Sequence, residues 1–99
     1  MNVVMQMGGA SSSGGTIPPV PTGVAVAQSG AGLSVSWSAS AGATSYNLYR
    51  ATSPGGQGGT PYATGVTSPR ADASVSFGVT YYYTVTAVNA AGESAQSSE

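Results

Sequence analysis

The side chains that carry out covalent or metal chemistry are almost missing from these 99 residues. There is no His, Cys or Lys, and only Arg50, Arg70, Asp72, Glu93 and Glu99 are charged. A serine or threonine nucleophile needs a neighbouring base, usually His or Lys, and neither type is present. Metal ions are held by His, Cys or clustered carboxylates, whereas no two carboxylate side chains lie closer than six positions. Asp72 and Glu93 are the pair to weigh as glycosidase acids, a chemistry that needs carboxyls roughly 5–9.5 Å apart. Gly55-Gly56-Gln57-Gly58-Gly59 is rich in glycine but lacks the Lys and the following helix of a phosphate-binding loop. It reads as a flexible connection. The expectation is a chain that is not an enzyme and uses no metal and no cofactor.

Charge removes further classes. With two cations and a net charge of −1, the chain has no basic face to neutralise phosphates, so nucleic acid is excluded as a partner. The same shortage excludes a polybasic membrane patch. The longest apolar run, Val24–Ala27, has four residues, against about 20 for a membrane-spanning helix. No positive charge precedes an apolar stretch at the N-terminus, so no signal peptide is read there. The length is that of one domain, able to stand without metal or disulfide.

The elements that would position any site follow from periodicity. Residues 1–7 place Met1, Val3, Met5 and Met7 on one side if extended. Residues 8–16 are Gly, Ser, Ala and Thr, a flexible linker by composition. Pro18, Pro19 and Pro21 then stiffen the chain. The expected division is an N-terminal apolar segment with its Gly/Ser linker over 1–17 and a folded domain over 18–99 whose last strand, from Glu93, stops early. From Thr22 onward the period is two: Val24 and Val26, then Leu33, Val35 and Trp37 against Ser34, Ser36 and Ser38. Tyr46 and Leu48 continue it, as do Tyr81, Tyr83, Val85 and Ala87. Turn clusters rich in Gly, Ser and Asn separate these runs, and Pro61 confines its own segment to a sheet edge. Short alternating strands between turns predict an all-β sandwich or barrel.

Taken together, these blocks resemble a known family. Pro21-x-x-Val24-x-Val26, Leu33-Ser34-Val35-Ser36-Trp37, Tyr46-Asn47-Leu48-Tyr49-Arg50, Gly78-Val79-Thr80-Tyr81 and Ala87-Val88-Asn89-Ala90-Ala91-Gly92-Glu93-Ser94 resemble the fibronectin type III domain, in its bacterial variety. The likeness runs over roughly 18–98. It implies a seven-stranded immunoglobulin-like β-sandwich with sheets A-B-E and C′-C-F-G. Strand A falls near 22–28, B near 32–38, C near 45–51, C′ near 60–65, E near 69–73, F near 80–89 and G near 93–98. Trp37, Tyr46, Leu48, Tyr81, Tyr83 and Val85 are the expected core. Trp37 is expected to be the least exposed aromatic, and Tyr81 to bond its hydroxyl back to the E–F connection. In that topology Asp72 and Glu93 fall toward opposite poles, so they fail as a glycosidase pair.

The chain departs from the family at two places. Ala91-Gly92-Glu93 stands where some members carry Arg-Gly-Asp, so integrin binding by that motif is not carried over. Arg70 stands where strand E usually has a large apolar residue, and an exposed pair with Asp72, two positions on, is expected. The candidate ligand contacts are Tyr49 and Tyr82, expected to point outward and diagonally across strands C and F. The resemblance implies a non-catalytic spacer or interaction module of an exported multidomain protein, located outside the cell or on its surface. Alternatives are a carbohydrate- or protein-binding module using the two tyrosines, or a subunit of a virion or surface filament. Expected partners are neighbouring domains of the same polypeptide or such a ligand. The domain is expected to be a monomer unless residues 1–7 donate a strand.

Overall fold

Alternation of apolar and small polar residues puts one face of each extended run in a core and the other toward solvent. The computed structural model describes residues 16–99. The strand-like segment expected over 1–7, and the linker up to residue 15, lie outside the described residues. Seven strands are found within them: β1 (Ala25–Ser29), β2 (Gly32–Ser36), β3 (Ser45–Ala51), β4 (Ala63–Val66), β5 (Arg70–Asp72), β6 (Tyr82–Asn89) and β7 (Gly92–Glu93). They form a three-stranded sheet in the order β1-β2-β5 and a four-stranded sheet in the order β4-β3-β6-β7. These are the expected A-B-E and C′-C-F-G sheets. All neighbouring strands are antiparallel.

Val35, Trp37, Leu48, Val66, Tyr83 and Val85 make the buried core, and Val24, Leu33, Tyr46, Ala63 and Tyr81 pack against it half-buried. Trp37 is not the least exposed aromatic. It is 6% exposed, against 1% for Tyr83 and 3% for Tyr49. The indole follows the last residue of β2 and meets the Tyr46 ring edge-on at 5.5 Å. Its Nε1 is buried with no hydrogen-bond partner among the described residues. All five residues of β1, an outer strand, are exposed.

Several strand ends differ from expectation: β2 ends at Ser36, β4 begins at Ala63 and β6 at Tyr82, two or three residues inside the expected bounds. β1 begins three residues late, although Ser38 N still donates to Thr22 O at 2.8 Å. β7 stops after Glu93, because the main chain beyond it leaves the regular ladder. Ser94 N donates to Ala87 O at 2.8 Å and Ser97 N to Val85 O at 3.0 Å. In return, Ala87 N donates to Ser94 Oγ at 3.0 Å and Val85 N to Ser97 Oγ at 2.9 Å. The two serines are three apart, so side-chain hydroxyls replace the carbonyls that a period of two would bring into register. Gly32 is required at the start of β2: a Cβ there would lie 2.7 Å from the Asp72 carbonyl oxygen.

Candidate functional site

The strongest polar constellation joins the two sheets. Asp72 ends β5 in the smaller sheet and is 3% exposed. Its Oδ2 accepts from Tyr83 Oη at 2.6 Å and from the Arg50 guanidinium at 3.0 Å. Its Oδ1 accepts from Tyr62 Oη at 3.0 Å and from Ser74 N and Ser74 Oγ, both at 3.1 Å. Arg50 and Tyr83 come from β3 and β6 of the larger sheet, in directly opposed register. The Arg50 guanidinium also lies 4.0 Å from the Tyr62 ring centroid and 5.1 Å from that of Tyr81.

Burial alone would raise the Asp72 pKa. The bonds from Tyr83, Arg50, Tyr62 and Ser74 outweigh it and hold the carboxyl at about 2. Conversely, burial and the bond to Asp72 push the Tyr83 hydroxyl well above the usual tyrosine range. A carboxylate that accepts five donors has no free lone pair with which to move a proton or bind a metal. It is built to hold the sheets together. The expected Arg70–Asp72 pair is therefore replaced by Arg50–Asp72. Arg70 is exposed, and its Nε donates to the Ala71 carbonyl oxygen.

The second constellation lies on the outer face of the larger sheet. Tyr49 on β3 sits opposite Thr84, which places it diagonal to Tyr82 as expected. The expected exposure of Tyr49 is corrected, however: the residue is 3% exposed. Its ring crosses β6 and its hydroxyl donates to Glu93 on β7. Asn47 Nδ2 at 3.1 Å and Thr86 Oγ1 at 2.5 Å donate to the same oxygen. These bonds, Thr86 first, lower the Glu93 pKa against burial, while burial and Glu93 raise that of Tyr49. Tyr82 is half-buried, so the two tyrosines do not form an open stacking platform.

Of the expected core residues, Trp37, Leu48, Tyr83 and Val85 are buried, and Tyr46 and Tyr81 are half-buried. Ser76 N on the β5–β6 connection donates to Tyr81 Oη at 2.9 Å. Asp72 and Glu93 lie in different sheets, one beside the β1–β2 turn and the other at the β6–β7 turn. Among the described residues no three His, Cys, Asp or Glu side chains converge on a metal position. Sequence reasoning missed Arg50, Tyr62, Ser74 and Tyr83 as partners of Asp72, Tyr83 having been expected only as a core side chain. The available signal was Asp72 itself, the one acidic residue inside a predicted strand of the smaller sheet.

No protein-family model matches the chain. Over 87 residues it is 44% identical to a poly(3-hydroxybutyrate) depolymerase of Ralstonia pickettii. Over 86 residues it is 41% identical to an amylopullulanase of Thermoanaerobacterium saccharolyticum. These alignments take in 86% and 84% of this chain but only 16% and 6% of those proteins. The crystal structure of an Fn3-like protein from Clostridium thermocellum superposes with a TM-score of 0.64 at 35% identity. That match covers 85% of this chain and 86% of the other.

Proposed function

Since the chain belongs to the fibronectin type III family, we propose that it serves as a non-catalytic module that sets distance and orientation between neighbouring domains of one polypeptide. The observation that carries this reading is the disproportion in the alignments. Nearly the whole chain matches a small part of two much longer enzymes, 16% of one and 6% of the other. The saturated Asp72 cluster supports it, because a carboxylate bonded to both sheets stiffens the sandwich without offering reactive groups. An exported, extracellular setting rests on the family resemblance.

The reading as a ligand-binding module loses support from the burial of Tyr49, which leaves Tyr82 without a stacking partner. No observation favours the filament-subunit reading. The spacing role is tested in the full polypeptide that carries this domain. Residues 18–98 are replaced by a Gly/Ser segment, and the separation of the flanking domains is measured by single-molecule energy transfer. A flexible segment samples a broad range of end-to-end distances, so the narrow distance distribution set by the domain is expected to widen. An unchanged distribution would dismiss the spacing role.

A further inference from the structure

Phe77 is the only phenylalanine in the chain, and it is 84% exposed. Val79 beside it is 44% exposed. With Ala31, Leu33, Val75 and Tyr81 they line a groove of about 150 Å³ on the connection between β5 and β6. That connection is braced rather than loose. Ser76 N donates to Tyr81 Oη at 2.9 Å, and Gly78 takes φ 80° to turn the chain back between the two apolar residues. A large apolar side chain on a braced support is an adhesive surface, and it has no partner among the described residues.

Its place in the fold says which partner. The β5–β6 connection, the β1–β2 turn and the β3–β4 connection share one pole, since Asp72 is opposite Leu33 and Tyr82 is opposite Ala51. Glu99 reaches the β3–β4 connection, its carboxylate accepting from Gly55 N at 2.5 Å and Gln57 Nε2 at 2.7 Å. Thr16 lies at the other pole, where its carbonyl accepts from Asn89 Nδ2 at 2.8 Å. The chain after β7 runs from the β6–β7 turn toward the pole of the β5–β6 connection, Ser94 bonding to Ala87 and Ser97 to Val85, so any chain running on from residue 99 leaves toward the pole that carries the Phe77 groove. The charged groups at this pole are already engaged, Arg50 with Asp72 and Glu99 with Gly55 and Gln57. The groove thus calls for an uncharged, apolar counterpart.

Area decides between a free and a tethered partner. Phe77 and Val79 together offer roughly a third of the approximately 800 Å² per side that a stable complex of free proteins buries. A covalent tether, in contrast, raises the local concentration of a partner to the millimolar range, where so small a contact is populated. We infer that the Phe77–Val79 groove seats an apolar side chain of the domain joined on the Glu99 side, and that this contact fixes the angle between the two. The inference rests on the reading as a spacing module and adds the surface through which orientation is set.

The test compares the 99-residue chain with the full polypeptide that carries it. Hydroxyl-radical labelling of Phe77 should be at least fivefold slower in the full polypeptide. Phe77→Ser should widen the distance distribution across the junction, measured between spin labels, while the melting temperature of the domain stays put. Equal labelling of Phe77 in both proteins overturns the inference, as does an unchanged distribution in Phe77→Ser or a polypeptide that ends at Glu99. Protection that appears in the 99-residue chain as its concentration rises also overturns it, by making a second copy the occupant. Replacement of residues 18–98 reports on the spacing role separately. If the distribution widens on that replacement but not in Phe77→Ser, the groove fails and the spacing role survives.

Discussion

At the scale of single residues, Asp72 carries a negative charge in a nearly closed site, and its stability contribution depends on pH in a direction set by its partners. Its pKa is lowered from 3.8 to about 2, so the folded state binds this proton less readily than the unfolded chain. The stabilisation is fully present above about pH 4 and is lost as pH falls toward 2. It amounts to something on the order of 2 kcal/mol. Urea denaturation at stepped pH should show this loss in the native protein, and Asp72→Asn should flatten the dependence in that window. Removing one partner of a buried pair costs about 3–5 kcal/mol, a large share of the 5–15 kcal/mol typical of a domain. Asp72→Asn is therefore expected to be markedly less stable at neutral pH. Trp37 gives the second expectation at this scale. Truncation to Ala should cost about 3–5 kcal/mol. Trp37→Phe should cost clearly less, because it also removes a buried N–H that has no acceptor among the described residues. Calorimetric unfolding of the two variants checks the order, and a solvent-like emission maximum for native Trp37 would contradict its burial.

At the scale of elements, the last strand shows how a ladder can continue after its regular geometry ends. Ser97 Oγ accepts from the buried Val85 N–H and donates to the Ser98 carbonyl, and Ser94 Oγ does the same between Ala87 N and the Ala95 carbonyl. Each hydroxyl thus works as donor and acceptor at once, which alanine cannot do. Ser97→Ala leaves the Val85 amide without an acceptor, and such a loss costs about 1–3 kcal/mol. Ser94→Ala should cost less, because its site is more open to water. Hydrogen exchange of the Val85 amide should quicken in Ser97→Ala beyond what global destabilisation explains. If its protection is unchanged, Ser97 Oγ is not the acceptor.

For the whole molecule, the five charged residues provide a single ion pair among the described residues, Arg50–Asp72. The sandwich therefore owes its stability to apolar burial and hydrogen bonding far more than to surface charge. Among the described residues no three His, Cys, Asp or Glu side chains converge, so a chelator is expected to leave the melting temperature unchanged, and no hydrolysis of ester, glycosidic or peptide substrates is expected. A metal-dependent rise in melting temperature, reversed by the chelator, would refute this. Phe77 stands apart from the fold energetics: with 84% of the residue in solvent, its replacement should move stability by no more than about 0.5 kcal/mol.

Strand positions were legible in the sequence because a pleated strand turns successive side chains to opposite faces, and the alternation of Leu33, Val35 and Trp37 with serines records that geometry residue by residue. The order of the sheets was legible through the family blocks that the chain carries. Alternation also told correctly that Tyr49 and Tyr83 face opposite ways, but it says which face a residue takes and not what lies over that face. Tyr49 is covered because its own ring reaches across β6 to Glu93, a contact between positions 44 apart. Asp72 shows the same limit. Nearness in sequence suggested Arg70, two positions away, whereas the packing of one sheet on the other brought Arg50, 22 positions away, to its carboxylate. Local sterics write a strand into a few neighbouring residues; which charge meets which across the sandwich is settled only when the two sheets close, because that pairing depends on their mutual register and not on any short stretch of chain.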